Sequence, residues 1–492
     1  MIKITSILLF GLVFCLKITA LDRSEYARTF DRTLSVGSGE RVLLEHKFGD
    51  IVVRTHSQQE VIIHADIRVS AADSREAKQF ADRVEVLVEP SSELFIRTRY
   101  PDVPRSFFGS RNVSFSVHYE LTIPETSPLQ VRNTFGSVFA TGVKASSEII
   151  TSHGELRFRD GRGAQRLENS FARIEVANNV GDVTAETTNG AVDVRDVTGM
   201  LTVRDRFANV TASRISNAVN ITNGNGSVDV GESGGAGDIK NSFGHVVVRD
   251  LRGDLIVSNT NGAVEATNIG GTAALKTSFG ELTFSNIGGP LSIRNNNGRI
   301  SGAKVRGSVT VINSFGAVQM SDIQRDVRVE SGNGAVSIDK AGGAADIKTS
   351  FGTVQASNIG GMLTVVEANG SVKASNVHGA QIKTSFGAAI LEGVAGPIHV
   401  QNQNGSVEVT STSQGSCQPV AIRTSFAAIR VRLQADASYR VSSRTSFGKI
   451  RSEFPLTVLG SVSNDELNGT IGKGQCEMNL TDNNGTIEIL KQ

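Results

Sequence analysis

The chain of 492 residues contains no tryptophan and only 4 tyrosines. Platforms that stack sugars or nucleic-acid bases generally use exposed Trp and Tyr rings, so this composition disfavours a carbohydrate-binding platform. Most of the aromatic side chains are instead the 23 phenylalanines. Because Phe carries no polar group and usually packs inside a protein, we expect these rings in the core.

A block of basic residues is also missing. The chain has 50 Lys and Arg against 49 Asp and Glu. This near-neutral balance gives no electrostatic reason to expect nucleic acid as a partner.

Long apolar runs are absent except at the N-terminus, where Lys3 precedes "ITSILLFGLVFCL" and small Ala20 follows. This pattern predicts a secretory signal peptide over residues 1–20, cleaved near Ala20. The run is shorter than the ~20 residues that span a bilayer, although an uncleaved anchor is the alternative. We therefore expect an exported protein in the periplasm, on the outer surface or secreted, with no integral membrane domain beyond this segment.

Cysteine is scarce, with three in the whole chain. Cys417 and Cys476 would remain after cleavage, and an even pair in an oxidising compartment favours a disulfide. Two unpaired buried thiols are the alternative.

The strongest pattern that is present is an 18-residue repeat. A turn residue, Gly or Ala, recurs every 18 positions from Gly136 to Gly370, with apolar residues two and often four places later. That alternation predicts a strand with one buried face. A second Gly recurs nine places after the first and begins another alternation, as in "GDLIVSN" from Gly253. Each unit therefore has two short strands and two turns.

Units this small bury a core only by stacking on their neighbours. The sequence predicts an all-β fold, a single-stranded parallel β-solenoid with 18-residue coils about 4.8 Å apart, right-handed by analogy. Residues 21–130 are predicted to form an elaborated β-rich N-terminal cap with one short helix from Ser74. Residues 131–410 form the regular solenoid, and residues 411–492 form less regular C-terminal coils and a cap.

Phe and Asn alternate in the position before the turn residue. We predict that an Asn-Gly turn has φ > 0 at both residues and that the Phe turn has a different backbone geometry. We also predict that the rings point inward and form a packing column in every second coil. The Gly residues of the Asn turns are Gly190, Gly226, Gly262, Gly298, Gly334 and Gly370, and the predicted inward rings are Phe171, Phe207, Phe243, Phe279, Phe315 and Phe351.

A polar column lies three places before the turn residue and runs from Thr187 to Thr349 with frequent Asn. Stacked Asn and Thr side chains can hydrogen-bond to one another and to the turn backbone. The ordinary preference of these residues for turns explains the column equally well.

Catalytic and metal-binding patterns are weakly represented. Glu175 and Asp193 are candidate catalytic carboxylates because they occupy the same outward position in adjacent coils. Thr211 and Val247 interrupt that series, which favours an ordinary solvated face. The eight His do not stand at metal-ligand spacing, and there is no calcium nonapeptide series and no phosphate loop, so we expect no metal and no cofactor.

The "TSFG" and "NIGG" turns and the closing run "SYRVSSRTSFGKIRSEF … LNGTIGKGQCEMNLTDNNGTIEI" resemble the bacterial "putative adhesin" family of domains of unknown function. The similarity spans nearly all of the chain after the signal segment. It implies a β-solenoid of the bacterial cell envelope with an adhesive role, and it brings no catalytic residues.

These observations predict an exported, non-enzymatic structural or adhesive rod that binds, if at all, through an extended lateral face. The expected partners are an envelope polysaccharide or another surface protein, and not nucleic acid. A carbohydrate-active enzyme, either a polysaccharide lyase or a hydrolase, and a periplasmic envelope-stress signalling component are the alternatives.

Overall fold

The structure is a computed structural model that describes residues 23–101, 113–411, 417–458 and 463–492. The chain is 66% strand and 2% helix, and it forms a β-solenoid of about 17 turns built from stacked parallel coils of about 18 residues. The predicted fold class is confirmed. The predicted signal peptide, residues 1–20, lies outside the described residues, and the handedness stays a prediction.

The N-terminal region contains the short helix and antiparallel strands as well as parallel ones. Its elements are β1 (Ser24–Ser35), β2 (Val42–Glu45), β3 (Ile51–His56), β4 (Glu60–Ala71), α1 (Ser74–Asp82), β5 (Glu85–Pro90), β6 (Leu94–Arg99) and β7 (Ser114–Pro124).

The helix α1 begins where the Asp73 carboxylate accepts a hydrogen bond from the backbone N–H of Glu76 at 2.8 Å. This N-cap satisfies one of the free donors of the first turn. Ala77, Phe80 and Ala81 form its buried face, and α1 packs on β1 and β4. β4 pairs antiparallel with both β1 and β7, and β7 pairs in turn with β3 of the stack. The helix and these antiparallel strands therefore cover the N-terminal end of the solenoid.

The regular coils follow, and most contribute one strand to each of two parallel stacks, while the strands Val354–Glu367 and Val372–Thr384 each run through both stacks. Their strands are β8 (Leu129–Phe135), β9 (Val138–Thr141), β10 (Ser147–His153), β11 (Leu156–Arg162), β12 (Gln165–Asn169), β13 (Ile174–Val180), β14 (Val183–Thr187), β15 (Val192–Val197), β16 (Leu201–Asp205), β17 (Val210–Ile215), β18 (Val219–Asn225), β19 (Val228–Ser233), β20 (Gly237–Phe243), β21 (Val246–Leu251), β22 (Leu255–Asn261), β23 (Val264–Ile269), β24 (Ala273–Phe279), β25 (Leu282–Ile287), β26 (Leu291–Asn297), β27 (Ile300–Val305), β28 (Val309–Phe315), β29 (Val318–Ile323), β30 (Val327–Asn333), β31 (Val336–Ala341), β32 (Ala345–Phe351), β33 (Val354–Glu367), β34 (Val372–Thr384), β35 (Ala389–Val394), β36 (Ile398–Asn402) and β37 (Val407–Thr410).

Equivalent residues of successive coils lie directly above one another. Val246 is in register with Val264 in one sheet, and Ile239 is in register with Val257 in the other. All four side chains are buried. The apolar columns that the 18-residue period predicts therefore form a continuous core between the two sheets.

A bend that the repeat pattern does not predict occurs six places after the turn residue. From Asp160 to Asn376 its residues are not Gly, yet each has a φ between +53° and +63°, as at Asp250 and Asn268. Asn and Asp tolerate this left-handed conformation best. Their side chains also bond along the stack, since Asn268 Nδ2 donates to Asp250 Oδ1 at 2.7 Å and Asn286 Nδ2 donates to Asn268 Oδ1 at 2.9 Å. The bend returns Leu251 to the core directly after two outward residues.

The C-terminal region completes the stack with a change of strand order. Its strands are β38 (Val420–Arg423), β39 (Ile429–Leu433), β40 (Tyr439–Thr445), β41 (Ile450–Ser452), β42 (Thr457–Val458), β43 (Glu466–Ile471), β44 (Cys476–Asp482) and β45 (Ile487–Lys491).

At both ends the stacking order differs from the chain order. The last two strands insert into the stack, so that β44 lies between β38 and β40, and β45 lies between β39 and β41. At the other end, β2 lies between β6 and β8, and β3 lies between β7 and β9. Cys417 and Cys476 form a disulfide that joins the start of β44 to the segment before β38.

The N-terminal cap contains a buried histidine. His46 is 7% exposed, and its Nδ1 lies 3.1 Å from Thr98 Oγ1 and 3.2 Å from the Tyr100 hydroxyl. The ring meets Tyr119 edge-on at 5.0 Å between centroids. Burial lowers the pKa of His46 to about 4, against weaker opposing hydrogen bonds to the backbone of Phe48 and Val117.

Acidification should therefore destabilise this cap. An unfolded His46 takes up its proton near its ordinary pKa of about 6.5, whereas the folded one resists down to about 4. Above pH 6.5 His46 is neutral in both states and does not lower the free energy of unfolding. As the pH falls from 6.5 towards 4, protonation of the unfolded chain lowers that free energy by up to about 3 kcal/mol. The measurement is the free energy of unfolding at pH 7 and at pH 4.5. Between these two values the free energy should fall less in His46→Gln than in the wild type. An equal fall in the two proteins would show that burial of His46 is not the cause of the acid sensitivity.

Candidate functional site

The rings predicted to form an internal column lie on the outside of the solenoid. Each is between 52% and 56% exposed, so the predicted inward orientation is wrong. The corrected residues are Phe171, Phe207, Phe243, Phe279, Phe315 and Phe351.

The inner side of this corner is already filled by the polar column. Asn259 is buried, and its Nδ2 donates to the carbonyl of Gly244 in the preceding coil at 3.0 Å and to the carbonyl of Gly262 at 3.1 Å. The coils also approach closely, since a Cβ on Gly262 would lie 2.1 Å from the Gly244 oxygen. A ring two places after the buried amide therefore has only the solvent side available.

The bonds of the polar column run largely to turn carbonyls of the coil below. Asn241 Nδ2 donates to Gly226 O at 3.1 Å, and Asn295 Nδ2 donates to Gly280 O at 3.0 Å. Contact between column members also occurs, because Thr384 Oγ1 donates to Glu367 Oε2 at 3.0 Å. These side chains fix the turns beneath the exposed rings.

Asp205 is a member of this column whose side chain has no N–H to donate. It is 5% exposed, and burial raises its pKa although the N–H groups of Ala208, Arg206 and Phe207 donate to the carboxylate.

Asn169 shows what an amide does before the same Phe-Ala turn. Its Nδ2 donates to Gly154 O at 2.9 Å, while its Oδ1 accepts the N–H groups of Phe171 and Ala172 at 3.3 and 3.4 Å. An amide in this position thus serves both the turn and the coil below.

Asp205→Asn should therefore stabilise the rod, by about 1 kcal/mol at pH 7, because it removes a buried charge and adds a donor. A carboxyl whose folded pKa is raised costs stability only above its ordinary pKa, so the gain should disappear towards pH 3. Unfolding in urea at the two pH values measures both effects. Asp254→Asn is the matched control and should bring no gain, since the Thr272 N–H bond at 2.7 Å lowers the pKa of Asp254.

The φ of the Gly does not divide the Asn-Gly and Phe-Gly turns into the two predicted geometries. Gly190, Gly298 and Gly370 follow Asn and are not among the glycines with positive φ, whereas the Gly of other Asn turns has a φ like that of the Phe turns. Gly226 and Gly262 follow Asn and have φ of +135° and +131°, while Gly244 and Gly316 follow Phe and have φ of +116° and +120°. The Asn residues are not among the described residues with positive φ, so the prediction of φ > 0 at both positions is also wrong. Close contact with the coil below favours a residue with little or no side chain here, and the column accordingly holds Gly or, after Phe171 and Phe207, Ala.

The exposed rings continue beyond the regular repeats. In the stack each alternates with an Asn, as where Phe243 lies in register between Asn225 and Asn261. We call this column the Phe–Asn ridge. Its rings are Phe171, Phe207, Phe243, Phe279, Phe315, Phe351, Phe386, Phe426 and Phe447, and the residues between them are Asn189, Asn225, Asn261, Asn297, Asn333, Asn369, Asn404 and Asn484.

At the C-terminal end the alternation of Phe and Asn holds for neighbouring coils in the stack, although it does not hold for successive turns along the chain. Phe426 and Phe447 are successive ridge rings in the chain, with no Asn turn between them. The inserted last coil supplies one, since the N–H of Asn484 donates to Ser425 O at 3.0 Å and the N–H of Phe447 donates to Asn483 O at 2.8 Å. Asn484 is thereby placed between the two rings.

At the N-terminal end the ridge becomes a continuous ring stack. His153 occupies the Asn position between Phe135 and Phe171, with ring centroids 4.8 and 4.6 Å apart. Phe48 extends the stack below Phe135 at 5.4 Å. Here each coil contributes a ring, and the gap between alternate rings is closed.

The candidate catalytic carboxylates are held in ion pairs. Glu175 and Asp193 are in register in adjacent coils, as predicted. Glu175, whose side chain is 12% exposed, contacts Arg159 Nη2 at 2.5 Å and Arg157 Nε at 3.0 Å, while Asp193 contacts Arg173 Nε at 2.6 Å.

The charges around Glu175 do not suit a general acid. Burial raises its pKa, but the Arg159 and Arg157 guanidinium groups outweigh burial and hold the pKa below its ordinary value. A catalytic acid needs a raised pKa.

The part of the chain that the structure describes contains no group of three or more His, Cys, Asp or Glu that could hold a metal ion. In the same residues, no helix has the length and apolarity to cross a membrane.

Comparisons with known proteins add one distant similarity. The chain matches no family model and no curated protein. It is similar to a solved structure described as a "putative cell adhesion protein" from Clostridium sporogenes, with 12% identity and a TM-score of 0.20 over 44% of this chain and 100% of that chain. At these values the comparison carries no functional argument, so function is argued from the residues of this chain alone.

Proposed function

We propose that this chain is an exported, non-enzymatic structural or adhesive rod of the bacterial envelope that binds through the Phe–Asn ridge. The observation that supports this proposal is the ridge itself, a line of exposed rings that keeps its alternation through the strand insertion at the C-terminal end.

The apolar area of the ridge is large for a surface feature. A half-exposed Phe presents roughly 100 Å² and the nine rings together roughly 900 Å². The largest apolar patch of a typical monomer is about 300–600 Å² and is often functional. Exposed rings on this scale are costly in water unless a partner covers them.

The periodic arrangement suits adhesion by many weak contacts. Each ring contributes modestly, and a partner with repeated apolar groups engages several rings at once, which raises the overall affinity through effective concentration. Binding should therefore grow with the number of rings engaged, unlike binding in a single enclosed pocket.

The test combines localisation with ridge substitutions. The full chain, produced in a bacterium, should fractionate with the envelope, and purified protein on a surface should retain bacterial cells. Phe243→Ser/Phe279→Ser/Phe315→Ser should lose most of this retention. The matched control is Ile256→Ser/Ile312→Ser/Val366→Ser, which removes exposed apolar side chains elsewhere on the rod and should retain cells as the wild type does.

Cytoplasmic localisation, or equal retention by the ridge variant, would overturn the proposal. So would cleavage of uronate or neutral polysaccharides that is lost in Glu175→Gln or Asp193→Asn, because that result would establish the enzymatic alternative.

A further inference from the structure

We propose that the ridges of two copies of this chain interlock side by side, with each Phe ring of one copy seated over an Asn between two rings of the other. The inference rests on the proposed function of the ridge as the binding face, and it names a second copy as the partner.

The spacing of the rings fits such an interlock. Coils lie about 4.8 Å apart, so rings in every second coil leave a repeat of about 9.6 Å. A ring placed midway would lie about 4.8 Å from each neighbour, the distance at which offset aromatic pairs attract each other.

The chain already contains this arrangement within itself. His153 fills the gap between Phe135 and Phe171 at 4.8 and 4.6 Å between ring centroids. At every later gap of the ridge the residue is an Asn, which is smaller than a ring. The gaps therefore have the dimensions of a ring position that the chain leaves open, and a second copy carries rings at the same repeat.

The area of the ridge also suits a dimer. Roughly 900 Å² of ring surface per copy is comparable to the ~800 Å² per partner of a standard protein–protein interface. A self-complementary patch of this kind joins two identical surfaces and forms a closed dimer.

Charge does not oppose the contact. The ridge consists of Phe and Asn, and the residue before each ring is Ser except at Phe207, which follows Arg206. The ridge positions themselves thus bring no line of like charge into the contact. A sugar chain is less suited to the surface, because Phe offers no polar group to a hydroxyl-rich ligand.

Analytical ultracentrifugation of the purified chain over micromolar concentrations tests the inference. The wild type should form dimers, and Phe243→Ser/Phe279→Ser/Phe315→Ser should dissociate at least tenfold more readily. Ile256→Ser/Ile312→Ser/Val366→Ser should dimerise as the wild type does.

A second variant separates interlocking from general stickiness. Asn261→Phe/Asn297→Phe/Asn333→Phe adds apolar surface but fills the gaps, as His153 does, so it should weaken the dimer. Stronger association of this variant would overturn the interlock, and so would a wild type that stays monomeric.

The outcomes also distinguish this inference from the proposed function. A monomer that still retains cells through its ridge, or that binds isolated glycans there, would overturn the dimer and leave the adhesive proposal standing. A dimer that localises to the cytoplasm would sustain the interlock and overturn the proposed function.

Discussion

Gly262→Ala should separate two coils of the rod and lower the free energy of unfolding by about 3 kcal/mol or more. The new Cβ would lie 2.1 Å from the carbonyl oxygen of Gly244 and 2.6 Å from its carbon. Both are backbone atoms that cannot rotate away. The φ of +131° at Gly262 adds conformational strain, because residues with a Cβ rarely adopt it.

The matched control is Gly231→Ala, on an outward position of the same rod where a Cβ meets nothing within 4 Å. Urea unfolding should show little change for this variant. Hydrogen exchange of the N–H groups of Val246 and Val264 should accelerate only in Gly262→Ala, because each coil depends on its nearest neighbours. Similar stability of the two variants would show that the turn column is not under steric constraint.

The coil could be predicted from sequence because its determinants are local and repeat. Val246, Val264 and their equivalents mark one buried face, and the Gly of each turn marks the closest approach between coils. Each copy of the 18-residue unit restates the same pattern, so errors at single positions do not alter the fold.

The outward orientation of the ridge rings could not be predicted from the alternation of buried and exposed residues along the strand. Residues 239, 241 and 243 have the spacing of one strand face, and Ile239 and Asn241 do point inward. The turn begins at that point, so Phe243 faces out. The Asn residues that alternate with the rings did indicate an outward orientation. A core column would not hold Asn in every second coil, because a buried amide next to a ring needs hydrogen-bond partners.

The ends of the rod depend on contacts far apart in the chain. Nothing near Cys476 indicates that β44 enters the stack between β38 and β40, because that choice depends on pairing with Val420 and Tyr439. The left-handed bend is similarly hidden, since residues as different as Lys304 and Asp322 occupy it. Backbone geometry common to all coils, and not residue type, sets this corner.

Cys417→Ser/Cys476→Ser should release the inserted coil at the C-terminal end. The disulfide closes a segment with a sequence separation of 59, for which chain entropy predicts a stabilisation of about 4 kcal/mol. Cys476 is the first residue of β44, and Cys417 lies close before β38, with which β44 pairs. The bond therefore holds β44 at its point of entry into the stack.

The measurement is thermal unfolding and limited proteolysis with and without a reducing agent. Reductant should lower the unfolding temperature of the wild type and expose its C-terminal segment to protease. The double Ser variant should show both effects without reductant and no further change with it. An unchanged unfolding temperature in that variant would show that strand pairing alone holds the coil.

The same variant connects the cap to the ridge. Asn484 belongs to the inserted coil and separates Phe426 from Phe447. If β44 and β45 leave the stack, the ridge loses its last Asn gap while the earlier gaps keep their spacing. The double Ser variant should therefore dimerise somewhat more weakly than the wild type but far more strongly than Phe243→Ser/Phe279→Ser/Phe315→Ser, because binding grows with the number of rings engaged.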